Sequence, residues 1–222
     1  GLAAVPLTHA SAMGEWVVWA MRGDAAGSYR RTMSIDTWRN YSGTAASLYQ
    51  EFFVPTIATP ALGDLLRAAE LRPGQRVLDV ACGTGVVARS AAERVGPTGA
   101  VTGIDLAPDM IAVAESTPAA GAPITWQQGD AQALPLPDAF YDVALCQMGV
   151  MFMADRDAAL REMRRVVAPD GRVVISTPGP MQAVFAAMEA AIADHLGQDF
   201  GRFVTAVFSM PEPDAVVGLL RD

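Results

Sequence analysis

From Arg76 onward the chain alternates between short apolar runs and helical stretches. Runs of strand character lie at Arg76–Val80, Ala100–Ile104, Ile124–Gln128, Asp142–Cys146 and Arg172–Ser176. Helical patterns fill most of the intervals, at Val86–Val95, Pro108–Ser116 and Asp157–Val167. Strands joined through helices require crossover connections, which are right-handed and make neighbouring strands parallel. The expected fold class is therefore α/β, a mostly parallel sheet of five strands with helices on both faces. Upstream, Ala45–Phe53 reads as a helix halted by Pro55. Thr59-Pro60 then offers an N-cap with Pro at the first helical position, for a second helix reaching Leu71.

Two hundred and twenty-two residues suit one such domain, and 51% apolar residues suffice for its core. Basic residues number 16 against 24 acidic, a formal charge of −8. Phosphate contacts need clustered cations, so this balance argues against nucleic-acid partners. Every basic residue is Arg, which removes Schiff-base and Walker-type lysine chemistry. Two cysteines, Cys82 and Cys146, make no disulfide framework and suit a reducing, cytoplasmic setting. No apolar run approaches the ~18 residues that span a bilayer. Residues 1–34 lack periodicity and read as an N-terminal extension, poorly ordered or non-native, ahead of a domain over 35–222.

The chemistry concentrates where the first strand ends, at Asp79-Val-Ala-Cys-Gly83-Thr-Gly85. Ligands of open α/β sheets bind at the carboxyl ends of strands. Glycines there permit a tight turn and close approach, and the free N–H groups of the next helix favour an anionic group. Gly83-Thr-Gly85-Val-Val-Ala88 also fits the dinucleotide fingerprint, and Asp105, twenty residues beyond Gly85, suits ribose hydroxyls. A nicotinamide-dependent oxidoreductase therefore stays open at this point. Asp79 weighs against it. A carboxylate facing a pyrophosphate at ~4–6 Å, at an effective dielectric of ~20, would cost roughly 3–4 kcal/mol. S-adenosylmethionine, with an ammonium and a sulfonium on one arm, suits that carboxylate better. The alternative is that Asp79 merely caps the turn as an acceptor.

Several segments in register resemble the class I S-adenosylmethionine-dependent methyltransferases, near the small-molecule branch of the ubiquinone/menaquinone C-methyltransferases. They are Val77-Leu-Asp-Val-Ala-Cys-Gly-Thr-Gly85, Gly103-Ile-Asp-Leu-Ala-Pro-Asp-Met110, Gln128-Gly-Asp-Ala131 with Leu134-Pro-Leu-Pro-Asp138, Tyr141-Asp-Val-Ala-Leu-Cys146, and Arg161 through Ile175. The resemblance implies a Rossmann-like fold, S-adenosyl-L-methionine as cofactor and a small-molecule acceptor. It also implies roles by position. Asp79, Ala81, Gly83 and Gly85 would hold the methionine arm. Asp105 would accept both ribose hydroxyls, with Leu106 and Met110 beside the adenine, although a Met on an amphipathic helix is more often core. Asp130 would accept the adenine amino group, with the Ala131 N–H nearby. Cys146 and Gln147 would lie under the sulfonium. Tyr41 and Tyr49 match aromatic positions that either cover the cofactor or simply pack.

The family's sheet ends in an antiparallel pair of strands. Here Pro213–Arg221 reads as the helix before that pair, so strands six and seven are expected to be missing and strand five to be a bare edge. Pro169-Asp-Gly171 stands where the family has Pro-Gly-Gly, a substitution that left-handed geometry tolerates. Methyl transfer from a sulfonium mainly needs alignment and desolvation, so no single catalytic residue is assigned. His9 and His195 are the only histidines; the latter is a base or an exposed helix residue. No metal-ligand spacing occurs. Arg156, Arg161, Arg164 and Arg165, offset by Asp155, Asp157 and Glu162, read as a solvated face. Met181–Met210 reads as helical core or as a lid over an apolar acceptor. A cofactor-binding protein without turnover is the further alternative.

Overall fold

The computed structural model describes residues 9–11, 14–21, 44–196 and 204–210. Tyr41 and the segment 213–221 lie outside them. The strands are β1 (His9–Ser11), β2 (Gly14–Met21), β3 (Arg76–Val80), β4 (Ala100–Asp105), β5 (Ile124–Gln128), β6 (Tyr141–Gln147) and β7 (Val167–Pro178). The helices are α1 (Thr44–Leu48), α2 (Thr59–Ala69), α3 (Val86–Val95), α4 (Pro108–Ser116), α5 (Arg156–Val166) and α6 (Ala183–Leu196).

One sheet runs in the order β1-β2-β7-β6-β3-β4-β5. The five strands from β3 onward pair in parallel, as the alternation predicts. Burial follows the pleat, because successive side chains point to opposite faces. Leu78, Ala144, Cys146, Val173 and Ile175 pack with Leu160 and Met163 of α5. Their neighbours Val77, Val143, Leu145 and Val174 pack instead with Leu65 of α2 and with Val87 and Ala91 of α3. Helices thus cover both faces. The chain steps from β3 out to β5 and then returns to β6 on the other side of β3. That reversal opens a crevice at the carboxyl ends.

The edge expected to be bare is covered. β2 runs antiparallel along β7, from Trp16 opposite Pro178 to Met21 opposite Val173, and β1 adds to it as a hairpin. Among the described residues the sheet therefore has seven strands, with an antiparallel pair at this edge supplied from upstream of β3. Residues 9–11 and 14–21 belong to it rather than to an unstructured extension. Their pairing partner lies far along the chain, so no local pattern announces it.

Pro55 does not stop the first helix. Tyr49–Ala58 winds as a π-helix that joins α1 to α2 without a break. Inside an α-helix a proline lacks a donor and clashes with the carbonyl four residues back. The wider π turn relieves that contact, and the Thr59 N–H reaches back five residues to Val54 O. Thr59 consequently has helical dihedrals and is not an N-cap. The Thr56 hydroxyl donates to Phe52 O and occupies one of the loosened carbonyls. α2 ends at left-handed Glu70, whose carboxylate pairs with buried Arg172 of β7 at 2.5 Å. Between Val167 and Arg172, β7 carries an irregularity in register against β6. No left-handed residue is needed there: Asp170 is not among those with positive φ.

Candidate functional site

A cavity of about 730 Å³ opens at the carboxyl ends of β3, β4, β5 and β6. Its floor comes from the turns that follow those strands. Ala81 and Gly83 follow β3, Asp105 to Ala107 end β4, Gly129 to Gln132 follow β5, and Gln147 to Gly149 end β6. Backbone strain collects here. Ala81 and Met148, neither a glycine, both adopt left-handed dihedrals, with φ of 54° and 55°. Such residues persist where the surroundings over-determine them, and they cluster at ligand sites.

Gly83 turns beneath an aromatic ring. Its φ is +53°, and the Tyr49 ring stands 3.6 Å from where a Cβ would be. Tyr49 stacks on Phe53 with centroids 4.7 Å apart, so the π-helix lays an aromatic roof over the glycine turn. The Gly83 N–H donates to Asp105 Oδ2 at 2.8 Å, and the Ala107 N–H donates to Oδ1 at 2.9 Å. Each oxygen keeps an accepting direction, which is what two adjacent hydroxyls would need. Burial raises the Asp105 carboxyl, while the backbone N–H groups pull it back down.

Asp130 accepts from the backbone N–H of Gln132 at 2.9 Å and from its Nε2 at 3.0 Å. The strand-end turn carrying it is pinned to α5. Glu162 accepts from the Leu134 N–H at 2.7 Å, and Arg165 donates to the carbonyls of Leu134 and Leu136 and to Asp138. Arg164 holds the carbonyls of Val167 and Ala168. Much of the arginine face read as solvated is therefore structural. The Arg165 guanidinium also holds Glu162 below the usual carboxylate range.

Eight expected cofactor residues meet at this cavity: Ala81, Gly83, Asp105, Leu106, Met110, Asp130, Ala131 and Gln147. Three are not among its lining residues. Asp79 is wholly buried, and its Oδ2 accepts the Ala88 N–H at 2.9 Å. It points to the same face as Val77, beneath the first turn of α3, so the capping alternative describes its contact. Desolvation pushes its carboxyl up to about 8. Burial thus disfavours its charged form, which weakens the repulsion argued against a diphosphate. Gly85 is held for packing: its φ is +86°, and a Cβ would lie 2.2 Å from the Trp126 ring. Cys146 is buried beneath Gly149, and burial raises its thiol to about 12.

The far wall is apolar. Leu48, Phe52, Phe53, Met148, Phe152, Met153 and Val207 line it. Sequence reading missed most of this wall, although Tyr49, Phe52 and Phe53 at helical spacing were its available signal. Leu48 and Phe52 remain 51% and 59% exposed, so the mouth has an apolar lip. Gln147 also lines the cavity, and it donates from Nε2 to Ala58 O at 2.7 Å. His195 is exposed on α6, its Nδ1 2.9 Å from Ala191 O, as an ordinary helix residue would be. Its side chain is not part of the cavity lining. Among the described residues no cluster of metal-ligating side chains occurs, and no helix is long and apolar enough to cross a membrane.

Comparison with known proteins adds to this geometry. Residues 77–171 match a family described as Methyltransferase domain. The chain is 40% identical over 115 residues to the ubiquinone/menaquinone biosynthesis C-methyltransferase of Cupriavidus metallidurans, covering 48% of this chain and 44% of that one. It is 37% identical over 133 residues to the demethylmenaquinone methyltransferase of Staphylococcus aureus, covering 60% and 55%. The chain thus spans about half the length of the curated relatives it matches. A Methanococcus maripaludis structure assigned as an S-adenosylmethionine-dependent methyltransferase superposes with a TM-score of 0.59. It covers 87% of each chain at 16% identity, a likeness of fold. These matches, not the Asp79 charge, favour S-adenosylmethionine over a nicotinamide dinucleotide, and they give the oxidoreductase alternative no support.

Proposed function

We propose that this chain, whose residues 77–171 match a methyltransferase domain, transfers a methyl group from S-adenosylmethionine to a small apolar or aromatic acceptor. The observation that carries the proposal is one cavity with two unlike walls. Its polar wall, Gly83 with Asp105 and Asp130, suits a ribose and an adenine. Its apolar part, Phe52, Phe152 and Met153, suits an aromatic ring laid against the cofactor's reactive end.

When bound, S-adenosylmethionine supplies a methyl on a sulfonium, a group already activated to leave. The chain's own residues then contribute binding, alignment and exclusion of water. In this reading Asp105 takes the ribose hydroxyls with the two accepting directions that its backbone partners leave. Leu106 and Met110 flank the adenine, and Asp130 accepts from its amino group, with the Ala131 N–H beside it. The Tyr49–Phe53 stack closes over the methionine arm. Gln147, which also lines the cavity, aligns the acceptor. Methionine thioethers adapt to irregular aromatic surfaces, so Met148 and Met153 suit a planar acceptor. The names of the curated relatives make a demethylated quinol the first acceptor to try.

Calorimetry with S-adenosylhomocysteine and with reduced nicotinamide dinucleotides tests the cofactor half. Binding of the first alone is expected, and binding of a nicotinamide alone would end the proposal. Transfer of labelled methyl to reduced naphthoquinols and benzoquinols tests the other half. Labelling confined to polar acceptors would remove the apolar assignment.

A further inference from the structure

Gln132 was not singled out by sequence, yet both ends of its amide are engaged in the cavity wall. Its Nε2 donates to Asp130 Oδ1 at 3.0 Å and lies 3.3 Å from Oδ2, while its backbone N–H donates to Oδ1 at 2.9 Å. Its Oε1 accepts the Asp155 N–H at 2.6 Å. Asp155 in turn caps α5, its Oδ1 accepting the Ala158 N–H at 2.9 Å. These partners fix the amide's orientation. Turning it over would set a carbonyl against a carboxylate and an NH₂ against an N–H.

Only a side chain that donates at one atom and accepts at another can serve both neighbours. A glutamate of the same shape would keep the Asp155 bond and place a second carboxylate on Asp130. The turn does not depend on Gln132 to stay in place, since Glu162 and Arg165 hold Leu134 and Leu136 independently. What the Gln132 amide adds is a second hold on the rotation of the Asp130 carboxylate, beside the backbone N–H at Oδ1. We propose that Gln132 is a positioning residue that sets the Asp130 carboxylate to receive the exocyclic amino group of adenine. This rests on the reading that Asp130 meets the adenine. A second consequence follows from the Asp155 link. The same amide ties the adenine wall to the start of α5, directly beyond Phe152 and Met153 of the acceptor wall.

The test is calorimetric binding of S-adenosylhomocysteine and of its inosyl analogue, which carries an oxygen in place of the amino group. Both are measured on the full chain from pH 5 to pH 8, for wild type, Gln132→Glu, Gln132→Leu and Asp130→Asn. At pH 8, Gln132→Glu should bind S-adenosylhomocysteine about tenfold more weakly, because two facing carboxylates cannot both ionise cheaply. It should regain most of that affinity at pH 5, where the pair shares a proton. A merely structural defect would not recover with acid. Gln132→Leu should lose most of the preference for adenosyl over inosyl ligand at every pH, with the unfolding midpoint little changed. Wild-type affinity and a flat difference profile for Gln132→Glu would overturn the proposal. The two readings fail separately. If Asp130→Asn erases the adenosyl preference while both Gln132 variants keep it, only the positioning role is lost. If Asp130→Asn keeps the preference, the adenine assignment falls as well.

Discussion

The two walls of the cavity are built by different means. On the polar wall each functional group sits at the end of a parallel strand and is held by backbone hydrogen bonds. Gly83 and Ala107 both donate to Asp105, and Gln132 donates to Asp130. On the apolar wall Leu48, Phe52 and Phe53 come from a helical segment that rests on packing. The first wall is fixed by directional bonds within a few residues of the strand ends. The second is fixed by which surfaces meet, so its residues can change while the fold persists. That contrast predicts cofactor binding that is sensitive to single atoms and acceptor choice that is set by shape.

The largest effect expected concerns the support of the polar wall. The Asp79 carboxyl is raised from its ordinary 3.8 to about 8 in the folded chain. Between those values the folded state keeps a proton that the unfolded state has released. This group's contribution is therefore fully present below 3.8 and is lost as pH rises through about 8, by about 1.4 kcal/mol per unit. Urea unfolding between pH 5 and pH 9 should show wild-type stability declining, with a flatter curve for Asp79→Asn. Parallel curves would show that the burial of this carboxyl does not govern the wall.

Next in size is Gly85→Ala, which meets both a left-handed φ and the Trp126 ring and should cost about 2–4 kcal/mol. Adding Trp126→Leu should return the steric part, leaving a positive coupling energy in the double-mutant cycle. Simple additivity would mean that the glycine serves its dihedral alone. Asp105→Ala should then weaken S-adenosylhomocysteine by ~1–3 kcal/mol, through lost charge-assisted hydrogen bonds. An unchanged calorimetric affinity would remove the ribose assignment. Smallest in stability is Phe52→Ser on the exposed lip, within about 0.5 kcal/mol. It should raise the acceptor KM while leaving cofactor affinity alone. If it altered cofactor affinity instead, the two walls would not be separable.

What the sequence made legible follows the same division. β3, β5, α3 and α4 have the expected bounds because glycines, prolines and apolar runs act locally there. Gly83, Asp105 and Asp130 were readable because their chemistry and their place at a strand end coincide. Asp79 was expected at the cofactor, and the structure shows it accepting from the Ala88 N–H. Its spacing put it at the turn, but only the pleat decides that it points beneath α3. The π-helix was hidden because proline was taken to end a helix, which holds for α geometry but not for the wider winding here. The roles of Arg164 and Arg165 were hidden because their carbonyl partners are set by tertiary structure, and charge pattern alone suggests solvent.

The hairpin of β1 and β2 carries a consequence for how the protein comes to be folded. Its partner β7 follows β3 to β6 in the chain, so the hairpin has no strand to pair with until β7 has been synthesised. Contacts between such distant stretches slow folding. During that interval β2 would present unpaired amides to other nascent chains, a window in which chaperone supply rather than native stability governs the yield of intact protein.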